Sequence, residues 1–424
     1  MESVEFIDDL GDEEHDEIFP DIPTPTDGSR WLAPTDVEQH LYKLVRSENS
    51  YAYLRTLAHE GVFYPVPLQD ARDTPSDQYP AMLQRESEGR VIVPVYTFGV
   101  LPRPFPGLVF EHITLDGLAR MVPEDADILV VNPMTPCQEF FAVDDEERDV
   151  WRDLSEDLYE HGDSHDRVLA LRTGAPPMGP LLHGLACGGH LCFTNGDPWN
   201  LLNWQGHKGY QNEVERLSEW WGVDSREEWL DIQERLLKRE VSPWYWDFVL
   251  GARSALAREH GIRPSAVDAG AWRDCVETTL RERVRGEDPE FADFMAMARG
   301  LVGQILRYEA RFRADELLAP DEVVRTVAAW DLGRASKMAR WGRGARYAAE
   351  KESHAALERA GQGAREVYGS WEEFSAGYVL GRCLHFDDEE FGDWYTTVLT
   401  AHRALLTSPD SPWLTVPFMG SRAL

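Results

Sequence analysis

The chain has 424 residues, of which 43% are hydrophobic and 11% aromatic, so it is long enough for two or three folded domains. Its formal net charge of -33 argues against general nucleic-acid binding, because most of the surface would repel phosphate backbones. No apolar run approaches the roughly 20 residues of a membrane-spanning helix, and the five cysteines include no Cys-x-x-Cys pair, which is typical of reduced thiols.

The first segment of the chain is strongly acidic. Residues 2 to 29 contain eleven Asp or Glu residues, no Lys or Arg, and three prolines. This composition predicts a disordered acidic tail over residues 1–34. The segment has neither the basic start nor the apolar core of a secretory signal, so we expect a cytoplasmic protein.

Residues 35–143 alternate helices and strands. Apolar residues recur at helical spacing from Thr35 to Glu60, and the segments VFYPVP, RVIVPVYTF and ADILVVNP have the composition of strands. This pattern predicts a small mixed α/β domain. The order of its elements, ending in TLDGLARMVPEDADILVVNPMTP, resembles the SseB-like N-terminal domain of bacterial proteins, and that resemblance implies no catalytic residue.

The middle of the chain has fewer clear signals. Residues 144–170 are acidic but carry apolar residues at helical spacing, which predicts a solvated helix that links two domains. Residues 171–206 are rich in Gly and Pro, which predicts irregular structure. Four residues there, His183, Cys187, His190 and Cys192, suggest zinc, but they are closer together than the usual paired zinc ligands. We therefore predict packed thiols and assign no metal or cofactor.

From Asn212 onward the sequence predicts helices. The start signals are Ser225 with Glu228, Ser242 with Pro243, Asp288 with Pro289, Ser370 with Glu373, and Asp387 with Glu390. They predict about nine helices in a domain over residues 171–424, and an α+β protein overall. The last helix carries an apolar stripe predicted to be core, formed by Phe391, Trp394, Tyr395, Val398, Leu399, His402, Leu405 and Leu406. On that stripe, His402 is expected to be a buried, hydrogen-bonded histidine.

A basic stretch lies in this helical part. WDLGRASKMARWGRGARY, residues 330–347, carries five cations and one acidic residue, Asp331. It predicts a helix from Val323 to Trp341, with a stop at residues 342–344. Asp331 falls within the apolar stripe of this helix, so it needs a buried partner. Another side of the helix carries Trp330, Arg334, Lys337 and Trp341.

Three interpretations of these cations stay open. They could neutralise acidic neighbours and stack on the tryptophans. They could form an anion pocket, in which Arg334, Lys337 and the turn at Arg343 and Arg346 hold a phosphate or carboxylate. They could also form a docking face for an acidic protein segment, including the acidic tail of this chain.

The same stretch carries a second resemblance. WDLGRASKMARWG, together with residues 369–413, NWQG and WWGVDSREEW, looks like the YbeU/YbeR-like bacterial domain of unknown function 1266. The resemblance spans residues 181–417 and implies no reaction. Its recurring motif positions match Asp331, Arg334, Arg340, Trp341, Gly342, Ser370, Trp371 and Gly381. The chain departs from the motif at Arg346, where a glycine is expected before the tyrosine.

These observations favour a cytoplasmic bacterial protein that binds a protein partner without catalysis, in a secretion, toxin-immunity or stress system. The motifs of P-loop, α/β-hydrolase and zinc-protease active sites are absent from the sequence. The alternative is an enzyme or sensor that binds an anionic small molecule, such as a nucleotide or phosphorylated metabolite, at the Arg/Trp helix. No catalytic residue is assigned. The candidate binding residues are Trp330, Asp331, Arg334, Lys337, Arg340, Trp341, Arg343, Arg346, Trp371 and Arg382.

Overall fold

The computed structural model describes residues 31–75, 78–87, 89–102, 107–156, 167–172, 179–202, 209–283 and 289–418. The predicted acidic tail lies outside the described residues except for residues 31–34. A small sheet-and-helix region comes first and a mainly helical region follows, which confirms the predicted α+β class. None of the helices in the described ranges is long and apolar enough to cross a membrane.

The first region combines six strands with five helices. They are α1 (Asp36–Arg46), α2 (Ser50–Glu60), β1 (Val62–Pro67), α3 (Leu68–Asp73), β2 (Arg85–Ser87), β3 (Arg90–Val95), β4 (Leu108–Ile113), α4 (Leu115–Met121), β5 (Ile128–Val131), β6 (Glu139–Ala142) and α5 (Asp145–Glu156). Strands β1 and β4 form an antiparallel pair. The other four form a sheet in the order β2-β3-β5-β6, in which only the β3–β5 pair is parallel.

Helix α5 packs against the core of this first region. Trp151 is fully buried and Leu154 nearly so, within the same apolar cluster as the sheet and α2. Arg148 donates hydrogen bonds to the carbonyls of Ala119 and Val122 at the end of α4, at 2.8 and 2.9 Å. The acidic segment predicted as a solvated helix is therefore amphipathic, with one face in the core.

The second region is helical throughout its described part. Its helices are α6 (Pro180–Cys187), α7 (Gly189–Asn195), α8 (Gly209–Trp221), α9 (Arg226–Leu237), α10 (Trp244–His260), α11 (Ala269–Arg283), α12 (Pro289–Ala314), α13 (Ala328–Gly344), α14 (Glu350–Val367), α15 (Trp371–Phe386), α16 (Asp393–Thr407) and α17 (Pro412–Thr415). From residue 209 onward, the described residues contain nine long helices and the four-residue α17, close to the predicted number.

Helices α6 and α7 occupy the segment predicted to be irregular, so that prediction is wrong. Its glycines serve helix packing. A Cβ on Gly184 would overlap the backbone of Leu357 in α14. A Cβ on Gly188 would lie only 2.8 Å from the hydroxyl oxygen of Ser336 in α13. Small residues allow two helix backbones to approach this closely, and local sequence rules interpret the same glycines as helix breakers.

The helix starts predicted at Ser225 and Ser370 are confirmed, and the one predicted at Asp387 is wrong. Ser225 and Ser370 each accept the amide hydrogen bond that starts α9 and α15. Asp387, in contrast, follows the end of α15, and the next helix starts only at Asp393. Its carboxylate accepts a hydrogen bond from the buried Tyr308 hydroxyl at 3.0 Å. A tertiary partner, rather than a helix start, therefore explains this acidic residue.

Helix α13 begins later than predicted. Its expected first turn is extended instead, because the amides of Val324 and Val327 donate to carboxylates on neighbouring helices at 2.9 and 2.8 Å. The helix ends at Gly344, within the stop predicted at residues 342–344. A Cβ on Gly342 would overlap the indole of Trp229, so this glycine serves close packing between α13 and α9.

The two regions meet where β4 contacts α8. The carboxylate of Glu111 on β4 accepts a hydrogen bond from the Gln211 amide at 3.0 Å, in the first turn of α8. The Gln211 amide is free to donate because the first amides of a helix lack partners within the helix. Gln211 also donates through its side chain to the carbonyl of Ala71 in α3. These contacts fix α8, and the helices packed on it, relative to the sheet.

Candidate functional site

Helix α13 is the central helix of the second region. Every residue of it except Arg343 is buried. It packs against α6, α7, α8, α9, α14 and α15. Buried charges are costly unless they are paired and hydrogen-bonded. The partners of its cations therefore decide what this helix can do.

Asp331 has the buried partners that its position in the apolar stripe requires. Its carboxylate is fully buried and forms an ion pair with Arg334, one turn along the same helix. It also accepts hydrogen bonds from the Ser242 hydroxyl at 2.7 Å and the Ser242 amide at 3.1 Å. Ser242 lies just before α10, so this carboxylate connects α13 to the start of a second helix.

Arg334 lies between two indole rings. Its guanidinium carbon is 4.3 Å from the ring centre of Trp330 and 5.6 Å from that of Trp221. Its Nε donates to the Trp330 carbonyl at 3.0 Å. Burial lowers the pKa of Arg334, while Asp331 opposes that shift. Its charge is thus balanced within the protein.

Lys337 belongs to a buried ionic network. It forms an ion pair with Asp197 at the end of α7, and both side chains are at most 3% exposed. Glu213 of α8 lies close to this pair, and burial together with the Asp197 charge raises its pKa to about 7. Arg340 contributes a further positive charge and donates to the Pro198 carbonyl. The network joins α7, α8 and α13.

Trp341, Arg343 and Arg346 form the end of the basic stretch. Trp341 is buried, with its ring centre 5.5 Å from the Lys337 ammonium. Arg343 lies 3.9 Å from Glu350. Arg346 has a φ of 61°, the left-handed conformation that favours glycine, which explains why a glycine is expected there. Its guanidinium donates to the Leu108 carbonyl on β4 at 2.7 Å, and burial lowers its pKa to about 10.

Trp371 and Arg382 lie on α15, away from that network. Trp371 is buried at the start of the helix, and its indole N–H donates to the Val416 carbonyl at 2.8 Å. Arg382 lies near the other end and is 8% exposed. Its guanidinium carbon is 5.6 Å from the ring centre of Phe386 and 5.2 Å from that of Trp394.

Trp394 was not a predicted site residue. The stripe of the last helix places it in the core, but the structure leaves it 49% exposed, so that prediction is wrong. The helix begins at Asp393, and Trp394 therefore lies in its first turn, at the edge of the protein. Its ring stacks on Phe386 at 4.7 Å. These two residues lie on different helices, and no sequence period connects them.

The four predicted zinc candidates have separate environments. His183 stacks on Trp371 at 4.6 Å, and Cys192 contacts the Arg340 guanidinium. Burial raises the pKa of Cys187. His190 stacks on Tyr378 at 4.3 Å. Within the described ranges, no group of three or more His, Cys, Asp or Glu side chains is placed to hold a metal ion.

A serine between two histidines is a feature that sequence reasoning missed. The Ser375 hydroxyl lies 2.9 Å from Nε2 of His190 and 2.7 Å from Nδ1 of His402. All three residues are buried, and burial lowers the pKa of His402 to about 4 and that of His190 well below its ordinary value. His402 is thus the buried, hydrogen-bonded histidine that the sequence predicts. Both imidazoles are neutral near pH 7.

A cleft of about 480 Å³ lies between the two regions. One wall comes from the start of α1, the end of α2 and the strands β1 and β4, and the other from residues 167–172 and the ends of α7 and α16. An ion pair between Arg172 and Asp36 crosses it at 2.5 Å. Its volume suits a small ligand, but its lining mixes both signs of charge and does not select one ligand class. None of the predicted site residues lines it.

The fold and the buried network define an α+β protein whose helical region is organised around α13. Residues 216–418 of this region match the family described as "Protein of unknown function (DUF1266)". The match includes the ion pair of Asp331 with Arg334, as well as Arg340, Trp371 and Arg382. Comparisons with curated proteins and with solved structures give no match. The resemblance of residues 35–143 to SseB-like domains stays a prediction.

Proposed function

We propose that this protein is a non-enzymatic module that binds a protein partner in the bacterial cytoplasm. The observation that carries the proposal is an exposed aromatic pair at the junction of α15 and α16. The rings of Phe386 and Trp394 stack at 4.7 Å with an interplanar angle of 16°, and they are 38% and 49% exposed. The predicted settings, a secretion, toxin-immunity or stress system, stay predictions.

Exposed aromatic rings of this kind are typical of protein interfaces. Tryptophan and arginine are enriched among the residues that dominate binding energy at interfaces. The pair also packs on a buried residue. The ring centre of Trp330 lies 6.2 Å from that of Phe386, in an edge-to-face arrangement. Side chains that are ordered before binding lose less conformational entropy when a partner covers them. The rings therefore support a preformed anchor for a partner.

The cations of α13 support the first of the three interpretations of the basic stretch. Arg334 and Lys337 form ion pairs with buried carboxylates of this chain, and Arg346 bonds to a backbone carbonyl. An external phosphate at Arg334 or Lys337 would have to displace Asp331 or Asp197. The enzyme or sensor for an anionic small molecule remains the alternative, without a described contact that favours it.

Photocrosslinking tests the proposal in the cells that make the protein. A photoreactive amino acid replaces Trp394, and the same residue replaces Trp220 as a control. Trp220 is 60% exposed but lies on α8. We expect a covalent adduct with a protein from position 394 and none from position 220.

A pair of substitutions then tests whether the aromatic surface is responsible. Phe386→Asp should abolish the adduct, because it replaces the stacked ring with a charge. Leu414→Asp introduces the same charge at an exposed residue of α17 and should leave the adduct unchanged. Absence of an adduct at position 394, or an adduct that survives Phe386→Asp, would overturn the proposal.

A further inference from the structure

Arg382 differs from the other buried cations of the described residues. Five Lys or Arg residues in these ranges are less than 9% exposed. Arg340 bonds to a carbonyl and lies near the Glu213 carboxylate. Three others form ion pairs with carboxylates: Arg253 with Glu309, Arg334 with Asp331, and Lys337 with Asp197. For Arg382, no carboxylate in the described part of the chain lies within ion-pair distance.

The surroundings of Arg382 leave its charge largely uncompensated. Its Nε is buried and has no hydrogen-bond partner among the described residues. The rings of Phe386 and Trp394 attract the cation through their faces, at 5.6 and 5.2 Å. The Tyr378 hydroxyl also forms a hydrogen bond with the Arg382 side chain. These neutral groups replace only part of the hydration that a guanidinium loses on burial.

Arg382 acts on a neighbouring histidine together with Arg334. His385, three residues along α15, has its pKa lowered by burial and then by the charges of Arg334 and Arg382. Of these two cations, Arg334 is neutralised by Asp331. Arg382 therefore remains a cation without an ion-pair partner among the described residues, directly beside two exposed rings.

We propose that Arg382 binds one carboxylate of an Asp or Glu side chain on the partner protein. This inference rests on the proposed function, because the aromatic pair beside Arg382 is the surface that the partner covers. The planar guanidinium is suited to a carboxylate, which can accept hydrogen bonds from its N–H donors. A single positive charge also matches a carboxylate better than a phosphate, which would leave excess negative charge at a partly buried position.

Nuclear magnetic resonance of the full-length protein tests the site without the partner. The Nε–H signal of Arg382 is identified by its loss in Arg382→Lys, and the probe is N-acetylglutamate. We expect a saturable shift of this signal with a dissociation constant in the millimolar range, the range of a single weak contact. N-acetylglutamine has the same shape without the charge and should cause no saturable shift. The signal of Arg253, paired with Glu309, should not respond to either compound.

Three results would overturn the inference: no saturable shift with N-acetylglutamate, an equal shift with N-acetylglutamine, or tighter binding of inorganic phosphate than of N-acetylglutamate. The crosslinking at position 394 gives an independent measure. If the adduct forms in the wild-type protein and persists in Arg382→Gln, the carboxylate site fails while the proposed function stands. Thermal melting of Arg382→Gln and Arg382→Lys shows whether each variant is folded.

Discussion

The ion pair between Asp331 and Arg334 gives the sharpest prediction about stability. Removing one member of a buried pair leaves the other charge unpaired in the core, which costs about 3–5 kcal/mol. In Asp331→Ala, Arg334 keeps its contacts with Trp330 and Trp221, and its hydrogen bond to a backbone carbonyl. We therefore expect a loss of about 3 kcal/mol in the free energy of unfolding, at the lower end of that range.

Arg334→Met should cost less than Asp331→Ala. Without Arg334, the Asp331 carboxylate still accepts hydrogen bonds from the hydroxyl and amide of Ser242 and from the amide of Val241. Hydrogen bonds to a charged group contribute about 1.5–3 kcal/mol each, so these donors partly stabilise the remaining charge. The double variant should lose less stability than the sum of the two single losses, because neither charge is then left alone.

Urea unfolding followed by tryptophan fluorescence measures these free energies. Asp321→Ala is the matched control, since Asp321 pairs with Arg263 at 2.7 Å and both side chains are at least 60% exposed. That substitution should change stability very little. If Asp331→Ala costs less than 1 kcal/mol by this measurement, or if the single losses simply add, the buried pair does not stabilise α13 as argued.

Two further predictions concern close packing and pH. Gly342→Ala should lower the free energy of unfolding by about 1–3 kcal/mol because its Cβ would overlap Trp229. Gly251→Ala, with no neighbour within 4 Å, should leave the urea midpoint unchanged or raise it; equal midpoints for the two variants would contradict the packing. Burial raises the pKa of Glu111 from 4.5 to about 8, so the folded state retains a proton that the unfolded chain releases, and the contribution of Glu111 to stability should fall as pH rises from about 5 to 8. Glu213 contributes in the same direction up to its pKa of about 7, whereas the buried His402, with a pKa lowered to about 4, contributes in the opposite direction. The melting temperature of Glu111→Gln should therefore rise relative to that of the wild type as pH increases from about 5 to 8, and a constant difference would refute the assignment.

Local signals in the sequence determined much of the helical framework. The N-cap hydrogen bonds of Ser225 and Ser370 join residues three positions apart, so they follow from the sequence alone. The same holds for Asp331, whose position within an apolar stripe required a buried partner, and one of its partners is Arg334 in the next turn. The alternation of strands and helices likewise predicted the α+β class.

Contacts between distant residues decided the remainder. The glycines of α6 and α7 have no local signature of helix packing, because the backbones that they approach lie far along the chain. Asp387 has the local pattern of a helix start, but Tyr308, some eighty positions earlier, determines its role. The partner of Lys337 is Asp197, which lies 140 positions earlier in the sequence. Neither propensity nor periodicity contains information about such pairs.

The candidate site divides in the same way. The sequence alone identified a basic, tryptophan-rich helix and included Arg382 among the candidate residues. Only the tertiary structure placed Asp197 and Glu213 beside the buried cations Lys337 and Arg340, and brought Trp394 onto Phe386 beside Arg382. The physical reason is that charge type follows from the residue itself, whereas compensation of that charge depends on which distant side chains the fold places around it.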